Sequence, residues 1–274
     1  MKLSFVHQDT SYEADTTEAQ SIAIALQFSG QQPNHFGTDK ASEEVLRLGE
    51  FVGSTKLGGS CNVDSLELIP HCNGTHTETV SHIIDDDIWV GHAGLDCCCP
   101  ALLVTVPTTP RADVTEAYRP PLKDTDTLIT AASLRAALDK FPGFRPEAIV
   151  LRTLPNEPDK RSQQYASGPE PAFLTVDAMR VVIETGCRHF LLDLPSVDRM
   201  YDDGLLTNHH LFWNVPERTH RLTGETRQDK TITEMVFVPD EIEDGRYLLN
   251  LQIPAFATDA APSRPLLIPI QKTH

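Results

Sequence analysis

Residues 70–82, PHCNGTHTETVSH, carry a high density of side chains that can bind a metal ion. The side chains concerned are those of His71, Cys72, His76, Glu78 and His82. Imidazole nitrogen, thiolate sulfur and carboxylate oxygen are the usual protein ligands of Zn²⁺ and related ions. A single histidine in a polar turn more often caps or hydrogen-bonds, but a cluster of this kind favours a metal site.

The spacing within this segment indicates which donors can reach a common ion. Side chains two positions apart in an extended chain point to the same side, so His76 and Glu78 should face one site. His82 can share that side if the segment stays extended. His71 and Cys72 are adjacent and would point in opposite directions, so only one of them should reach the site.

Hydrophobic patterning along the rest of the chain predicts an α/β fold with a strong β component. Alternating or buried apolar runs typical of strands occupy residues 19–28, 65–70, 100–107, 147–153, 189–194, 231–238, 246–256 and 264–270. Two segments predict helices: 130–141, with Thr130 or Ser133 as the N-cap, and 175–186, which Thr175 caps and Gly186 ends. Because no repeat or linker divides the chain, residues 1–274 are interpreted as one domain.

The charge balance and the length of the apolar runs exclude several classes of partner. Lys and Arg number 23 against 39 Asp and Glu, a formal net charge of −16. Such a surface repels nucleic acid and anionic membranes. The apolar runs are too short to cross a bilayer and the N-terminus lacks the core of a signal peptide, so the sequence predicts a cytoplasmic protein. The CCCP run at 97–100 is interpreted as a strand entry rather than a metal or redox site.

Motifs of other catalytic classes are missing from the sequence. Without a GxSxG elbow, Ser196 is not expected to be a hydrolase nucleophile, and without a glycine-rich phosphate loop no nucleotide cofactor is expected. Asp193 and Asp198 follow a predicted strand and should support the site, with Asp193 as a candidate partner for a histidine. Candidate aromatic walls of a pocket are Phe28, Phe36, Trp89 and Trp213.

The motifs, taken in order, resemble those of the cyclase-type metal-dependent hydrolases, which include bacterial kynurenine formamidase and isatin hydrolase. GTHTETVSH is similar to the family motif HxGTHxDxPxH, with Glu78 at the aspartate and Val80 at the proline. Strict spacing places Cys72 at the first histidine and His71 one residue early. Other similar segments are FPGFRPEAIVLRT, AFLTVDAMRVVIETGCRHFLLDLPSVD, TNHHLFW and TITEMVFV.

The resemblance implies a role for each matching residue. The implied metal ligands are His71 or Cys72, His76, Glu78, His209 and Glu234, with His82 as the acid/base and His210 outside the ligand set. The family's fold resembles a swivelling β/β/α arrangement, usually as a homodimer, and it holds one or two zinc or manganese ions. We favour His71 over Cys72, because the family has an imidazole there and a β-bulge before Gly74 could absorb the extra residue.

The chemistry of such a site suits hydrolysis of a non-peptide amide. A divalent ion makes water acidic enough to ionise near pH 7 and polarises a carbonyl, while a histidine of ordinary pKa moves the protons. The sequence therefore predicts an arylformamidase-like enzyme, with N-formyl-L-kynurenine as the first substrate to test. A ring hydrolase acting on isatin or a lactone is one alternative, and a metal-binding protein without turnover is another.

Overall fold

The computed structural model describes residues 1–93 and 98–273, in which strands outnumber helices. The strands are β1 (Lys2–His7), β2 (Thr10–Asp15), β3 (Gln20–Ser21), β4 (Ser42–Val45), β5 (Arg47–Leu48), β6 (Phe51–Val52), β7 (Asp64–Glu67), β8 (His76–Glu78), β9 (Cys99–Pro107), β10 (Thr109–Pro110), β11 (Thr127–Ile129), β12 (Ala148–Leu154), β13 (Phe173–Leu174), β14 (His189–Leu192), β15 (Thr231–Glu234), β16 (Gly245–Gln252), β17 (Ala260–Pro262) and β18 (Arg264–Lys272). The helices are α1 (Pro70–Asn73), α2 (Ala131–Leu138), α3 (Val176–Glu184) and α4 (Thr207–Trp213). Short 3₁₀ turns cover Thr16–Glu18, Thr55–Leu57, Val80–His82, Val90–His92, Arg111–Asp113, Pro158–Ser162 and Tyr165–Ser167.

One mixed sheet dominates the fold. In the described part of the chain it has 11 strands, in the order β1-β2-β18-β16-β9-β12-β14-β15-β8-β17, with β3 paired to β18. The four central strands, β9-β12-β14-β15, are parallel to one another. On one side of this centre lie β8 and β17, on the other side lie β16 and β18, and all four are antiparallel to their neighbours. Parallel neighbours need crossover connections, and α2, α3 and α4 lie in the three connections between these central strands.

Apolar side chains explain why the central strands and the helices lie where they do. The strands β9 and β12 are buried on both faces, as expected for the middle of a parallel sheet. Leu134 of α2 and Val182 of α3 join Ile149 and Leu151 of β12 in the main apolar core. This packing fixes the positions of the loops that follow the central strands.

Most of the predicted elements are confirmed, including the α/β class with its strong β component. Both predicted helices form, and their N-caps are Thr130 and Thr175, whose side chains accept the backbone N–H groups of Ser133 and Ala178. The strand predicted from CCCP begins at Cys99, and Cys97 lies outside the described residues. No helix within the described ranges is long and apolar enough to span a membrane.

The strand predicted at residues 19–28 is wrong beyond Ser21. In this segment Ile22 and Ile24 alternate with polar or small residues, as in a strand. The backbone of the segment nevertheless bonds to several elements in turn rather than to one paired strand. The backbone N–H of Ile22 donates to the carbonyl of Pro265, and that of Ile24 donates to the hydroxyl of Thr75. Burial of alternate side chains therefore produced the strand-like pattern without a strand.

Candidate active site

Strand β8 carries the centre of the motif segment into the sheet between β15 and β17. His76 and Glu78 are fully buried on one face of β8, as their spacing predicts. In the antiparallel pairing of β8 with β15, His76 lies opposite Glu234. The Nε2 atom of His76 lies 3.5 Å from Oε2 of Glu234. The short strand thus brings His76, Glu78 and Glu234 to one site.

The orientation of the His76 ring leaves one nitrogen free for a ligand. Its Nδ1 lies 2.9 Å from the carbonyl oxygen of Gly74, which can only accept a hydrogen bond, so Nδ1 carries the proton. Nε2 then presents a lone pair and has no hydrogen-bond partner among the described residues, although it is buried. A backbone carbonyl that orients a histidine in this way is typical of metal-binding imidazoles.

Helix α4 contributes His209, which is held from behind by Asp198. Its Nδ1 lies 2.6 Å from Oδ2 of Asp198, and its Nε2 lies 3.0 Å from Oε1 of Glu78. Asp198 also accepts the backbone N–H groups of Asn208 and His209 and the hydroxyl of Tyr118. Burial disfavours the charged ring, but Glu78 and Asp198 outweigh it and hold the pKa of His209 well above its usual range.

His71 reaches the same carboxylate from helix α1. Its Nδ1 lies 3.1 Å from Oε2 of Glu78, and its Nε2 lies 2.8 Å from Oδ2 of Asp259. Burial opposes the charged ring, but the hydrogen bonds to Asp259 and Glu78 raise the pKa of His71 to about 10. The ring must therefore lose a proton before it can bind a cation.

His82 completes the cluster from the 3₁₀ turn that follows β8. Its Nδ1 lies 3.8 Å from Oε2 of Glu78 and 3.5 Å from Oδ2 of Asp259, and its ring centre is 4.3 Å from that of His71. About a quarter of the side chain is exposed, 26%, whereas His76 is fully enclosed. His82 thus meets both the cluster and solvent, as does His71, whose side chain is 25% exposed.

The donor set and its free atoms fit a divalent cation. Nε2 of His76 is buried without a hydrogen-bond partner among the described residues, an arrangement that costs free energy unless another group binds there. The ligand atoms of His71, His76 and Glu78 lie within 4.8 Å of one another, as do those of Glu78, His82 and His209. Mixed imidazole and carboxylate donors at these separations are those that zinc and manganese accept.

Comparison with known proteins shows the family to which this chain belongs. The model of the Cyclase family, described as "Putative cyclase", matches residues 8–199. The chain belongs to the cyclase family. No curated protein matches the chain at a significant level.

Solved structures show the same fold at low sequence identity. A predicted metal-dependent hydrolase from Bacillus stearothermophilus has a TM-score of 0.57 and 15% identity, over 91% of this chain and 97% of that one. An isatin hydrolase bound to the product analogue thioisatinate has a TM-score of 0.61 and 13% identity, over 93% and 94%. Isatin hydrolase A from Ralstonia solanacearum has a TM-score of 0.58 and 14% identity, over 92% of each chain.

In this cyclase-family chain, helix α1 decides how the adjacent residues His71 and Cys72 are placed. A helical turn, rather than the extended run with a β-bulge that we predicted, leads into Gly74. Residues about 100° apart on a helix face different ways, so the His71 ring faces Glu78 while the Cys72 side chain is buried on another side of the helix. Burial raises the pKa of that thiol, and no metal-type grouping within residues 1–93 and 98–273 includes it.

This placement supports a prediction about the disputed ligand. His71→Ala should reduce the zinc or manganese content of the purified protein, because one nitrogen donor beside Glu78 is lost. Cys72→Ala should keep its metal content, because the thiol lies outside the cluster. Elemental analysis of both variants and the wild type checks this, and full metal in His71→Ala with loss in Cys72→Ala would reverse the assignment.

A narrow cavity of about 80 Å³ adjoins the histidine cluster. His71, His82, His209 and Glu234 line it on one side, and His35, Phe36, Pro195, Ser196, Arg199, Met200, Asp202 and Leu206 line the rest. Of the predicted aromatic walls, only Phe36 lines this cavity, with 49% of its surface exposed. Trp213 is buried and its ring centre lies 5.6 Å from that of His209, so it packs behind the site.

Sequence reasoning missed two residues beside the cluster, His35 and Asp259. His35 is buried, its ring is stacked on that of Phe36 at 3.9 Å, and its Nε2 has no partner among the described residues. Burial, together with the neighbouring imidazoles of His76 and His71, lowers the pKa of His35 to about 3, so the ring is neutral at pH 7. Neither residue lies in a spacing pattern, so only their chemical type could have drawn attention to them.

The supporting role predicted for one aspartate falls to another, whereas His210 lies where it was expected. Asp193 bonds to Thr153 and to the ammonium group of Lys160 rather than to a histidine, so the role we predicted for it belongs to Asp198. His210, expected outside the ligand set, is buried with its Nδ1 3.1 Å from the carbonyl oxygen of Val215.

Proposed function

We propose that the chain is a metal-dependent hydrolase that cleaves a non-peptide amide C–N bond, with an aryl formamide of the N-formyl-L-kynurenine type as its substrate. The observation that supports this most is Nε2 of His76, which is buried without a hydrogen-bond partner among the described residues, next to a Glu78 carboxylate that lies between the imidazoles of His71 and His209. A site built for packing alone would satisfy this nitrogen with a protein group.

The proposed ligands are His71, His76, Glu78, His209 and Glu234. A bound divalent cation supplies a Lewis acid that polarises the scissile carbonyl and makes water acidic enough to lose a proton near neutral pH. Glu234 is held in place by the backbone N–H of Val197, which donates to its Oε1 at 3.0 Å. The proposed cofactor is one or two ions of zinc or manganese, because imidazole and carboxylate donors suit both metals.

The proposed role of His82 is to move protons. A group that shuttles a proton must reach both the reacting atoms and solvent, and His82 lines the cavity with about a quarter of its side chain exposed while its Nδ1 lies beyond hydrogen-bond distance of Glu78, at 3.8 Å. It would take a proton from water and deliver it to the departing amine nitrogen. No serine or cysteine nucleophile is required by this route.

The cavity supports a small acyl group with a larger aromatic leaving group. At about 80 Å³ it admits few atoms beside the histidines, which suits a formyl group. The half-exposed ring of Phe36 at its edge offers an apolar face for an aryl ring. A second candidate is hydrolysis of a ring amide of the isatin type, which the fold similarity to isatin hydrolases favours.

Turnover measurements test the proposal directly. The wild-type protein, loaded in turn with Zn²⁺ and Mn²⁺, is assayed with N-formyl-L-kynurenine, isatin and a panel of lactones, and a chelator-treated sample is the control. We expect formamide hydrolysis that the chelator abolishes and added metal restores. Hydrolysis of isatin alone would favour the second candidate, and tight metal binding without any turnover would indicate a metal-binding protein.

Two further proposals concern organisation. We propose that residues 1–274 form one domain, which is supported by a sheet that takes strands from both ends of the chain, β1 and β18 among them. We also propose a homodimer, on the resemblance to the family, and sedimentation or light scattering would measure it.

A further inference from the structure

Two histidines approach the Glu78 carboxylate in the same way from opposite sides. His209 points Nε2 to one oxygen of Glu78 at 3.0 Å and Nδ1 to Asp198 at 2.6 Å. His71 points Nδ1 to the other oxygen at 3.1 Å and Nε2 to Asp259 at 2.8 Å. Each ring therefore faces Glu78 with one nitrogen and an aspartate with the other.

The chemistry of the imidazole ring determines what Asp259 can do in this arrangement. A neutral ring has one lone-pair nitrogen and one N–H, so it binds a cation through one nitrogen only and donates through the other. If His71 binds through Nδ1, next to Glu78, its Nε2 carries the proton and needs an acceptor. Oδ2 of Asp259 lies at hydrogen-bond distance from that nitrogen.

We propose that Asp259 is a positioning carboxylate that orients His71 as a metal ligand and steadies His82 beside it. The proposal rests on the proposed function, because it assigns a task in a metal site. Oδ2 of Asp259 also lies 3.5 Å from Nδ1 of His82, so one oxygen lies next to the rings of both His71 and His82. Carboxylates behind metal-binding histidines fix the ring orientation and increase the basicity of the ligand.

The backbone holds Asp259 at this place independently of its carboxylate. The N–H of Thr79 donates to the carbonyl oxygen of Asp259 at 3.0 Å, and the next residue, Ala260, pairs with Glu78 across β17 and β8. The start of β17 is therefore fixed against the strand that carries His76 and Glu78. A change in the side chain should leave this pairing intact.

The carboxylate of Asp259 has fewer other contacts than that of Asp198. Asp198 is buried and also bonds to Tyr118 and Asn208, so its loss would disturb α4 as well as His209. Asp259 is 40% exposed, and among the described residues its side chain contacts only His71 and His82. Substitution of Asp259 therefore tests orientation of the histidines with little effect on the fold.

The experiment compares metal affinity in Asp259→Ala, Asp259→Asn and wild type, with Asp87→Ala as a matched control at an exposed aspartate. Competition with a chromophoric chelator measures the dissociation constant and the number of Zn²⁺ ions per chain. We expect Asp259→Ala to bind the same number of ions with about 10- to 100-fold weaker affinity. Asp259→Asn should lose less of its Zn²⁺ affinity, because its amide oxygen still accepts a hydrogen bond from His71. The affinity of Asp87→Ala should match that of the wild type.

The melting temperature of each metal-free variant separates orientation from folding. We expect the chelator-treated Asp259→Ala protein to melt close to the chelator-treated wild type. A large loss of stability without metal, with unchanged affinity, would make Asp259 a structural residue. A reduced number of bound ions would make it a direct ligand, and equal affinity in Asp259→Ala and wild type would also overturn the proposal. If the wild type binds neither Zn²⁺ nor Mn²⁺, the proposed function fails and this inference fails with it.

Discussion

Replacing His76 with alanine should deplete the protein of metal and lower its melting temperature by about 5–10 °C in the presence of the ion. His76 is buried with a free Nε2, so its replacement by alanine removes a donor atom from the cluster. An ion present at about 100 times its dissociation constant stabilises the native state by about 2.7 kcal/mol. Each kcal/mol corresponds to about 2–4 °C in a domain of similar size.

Thermal unfolding with and without chelator, together with elemental analysis, measures both effects of His76→Ala. His92→Ala is the control, because His92 is exposed and lies outside the cluster. In the presence of chelator, the melting temperatures of His76→Ala and wild type should differ much less than they do with metal. Most of the difference comes from metal binding, which stabilises only the folded state. Retention of full metal by His76→Ala would exclude it from the ligand set.

Replacing His82 with alanine should leave the metal and the fold in place and reduce turnover by about 10²–10⁴-fold, the usual contribution of a general acid–base group. His82 is partly exposed at the cavity and lies farther from Glu78, at 3.8 Å, than His71 and His209 do. The loss should fall on kcat rather than on metal content. The limb of the pH–rate profile that reports the catalytic base should change with it.

Single-turnover kinetics and elemental analysis of His82→Ala decide between proton transfer and ligation. His92→Ala again serves as the control and should retain wild-type kcat and metal content. Loss of metal in His82→Ala as severe as in His76→Ala would make His82 a ligand. Full activity in His82→Ala would instead remove it from the catalytic site.

Local sequence patterns predicted much of the fold where each element depends mainly on its own residues. The buried runs at 100–107 and 147–153 became β9 and β12, because continuous apolar character suits a strand covered on both faces. The amphipathic pattern and the capping threonine predicted α3 within a residue or two of its ends. The hairpin β1–β2 was missed, since its strands are only partly buried.

The sequence by itself determined which side chains cluster on β8. The spacing of His76 and Glu78 is enough to place both on one face of a strand, because side chains of a strand alternate with a period of two. Their burial and their pairing with β15 agree with that interpretation. The helical segment of His209 was matched by resemblance to the family, and its helix was not predicted from periodicity.

Only the tertiary structure decided which distant residues meet around Glu78. The turn of helix at Pro70–Asn73 brings His71, rather than Cys72, against Glu78, a placement that an assumed extended chain could not settle. Asp198 and Asp259 reach the cluster because the loop before α4 lies beside His209 and the residue before β17 lies beside His71. Asp259 lies 188 residues from His71 in the chain, and such a contact depends on strand order and packing, which leave no periodic pattern in the sequence.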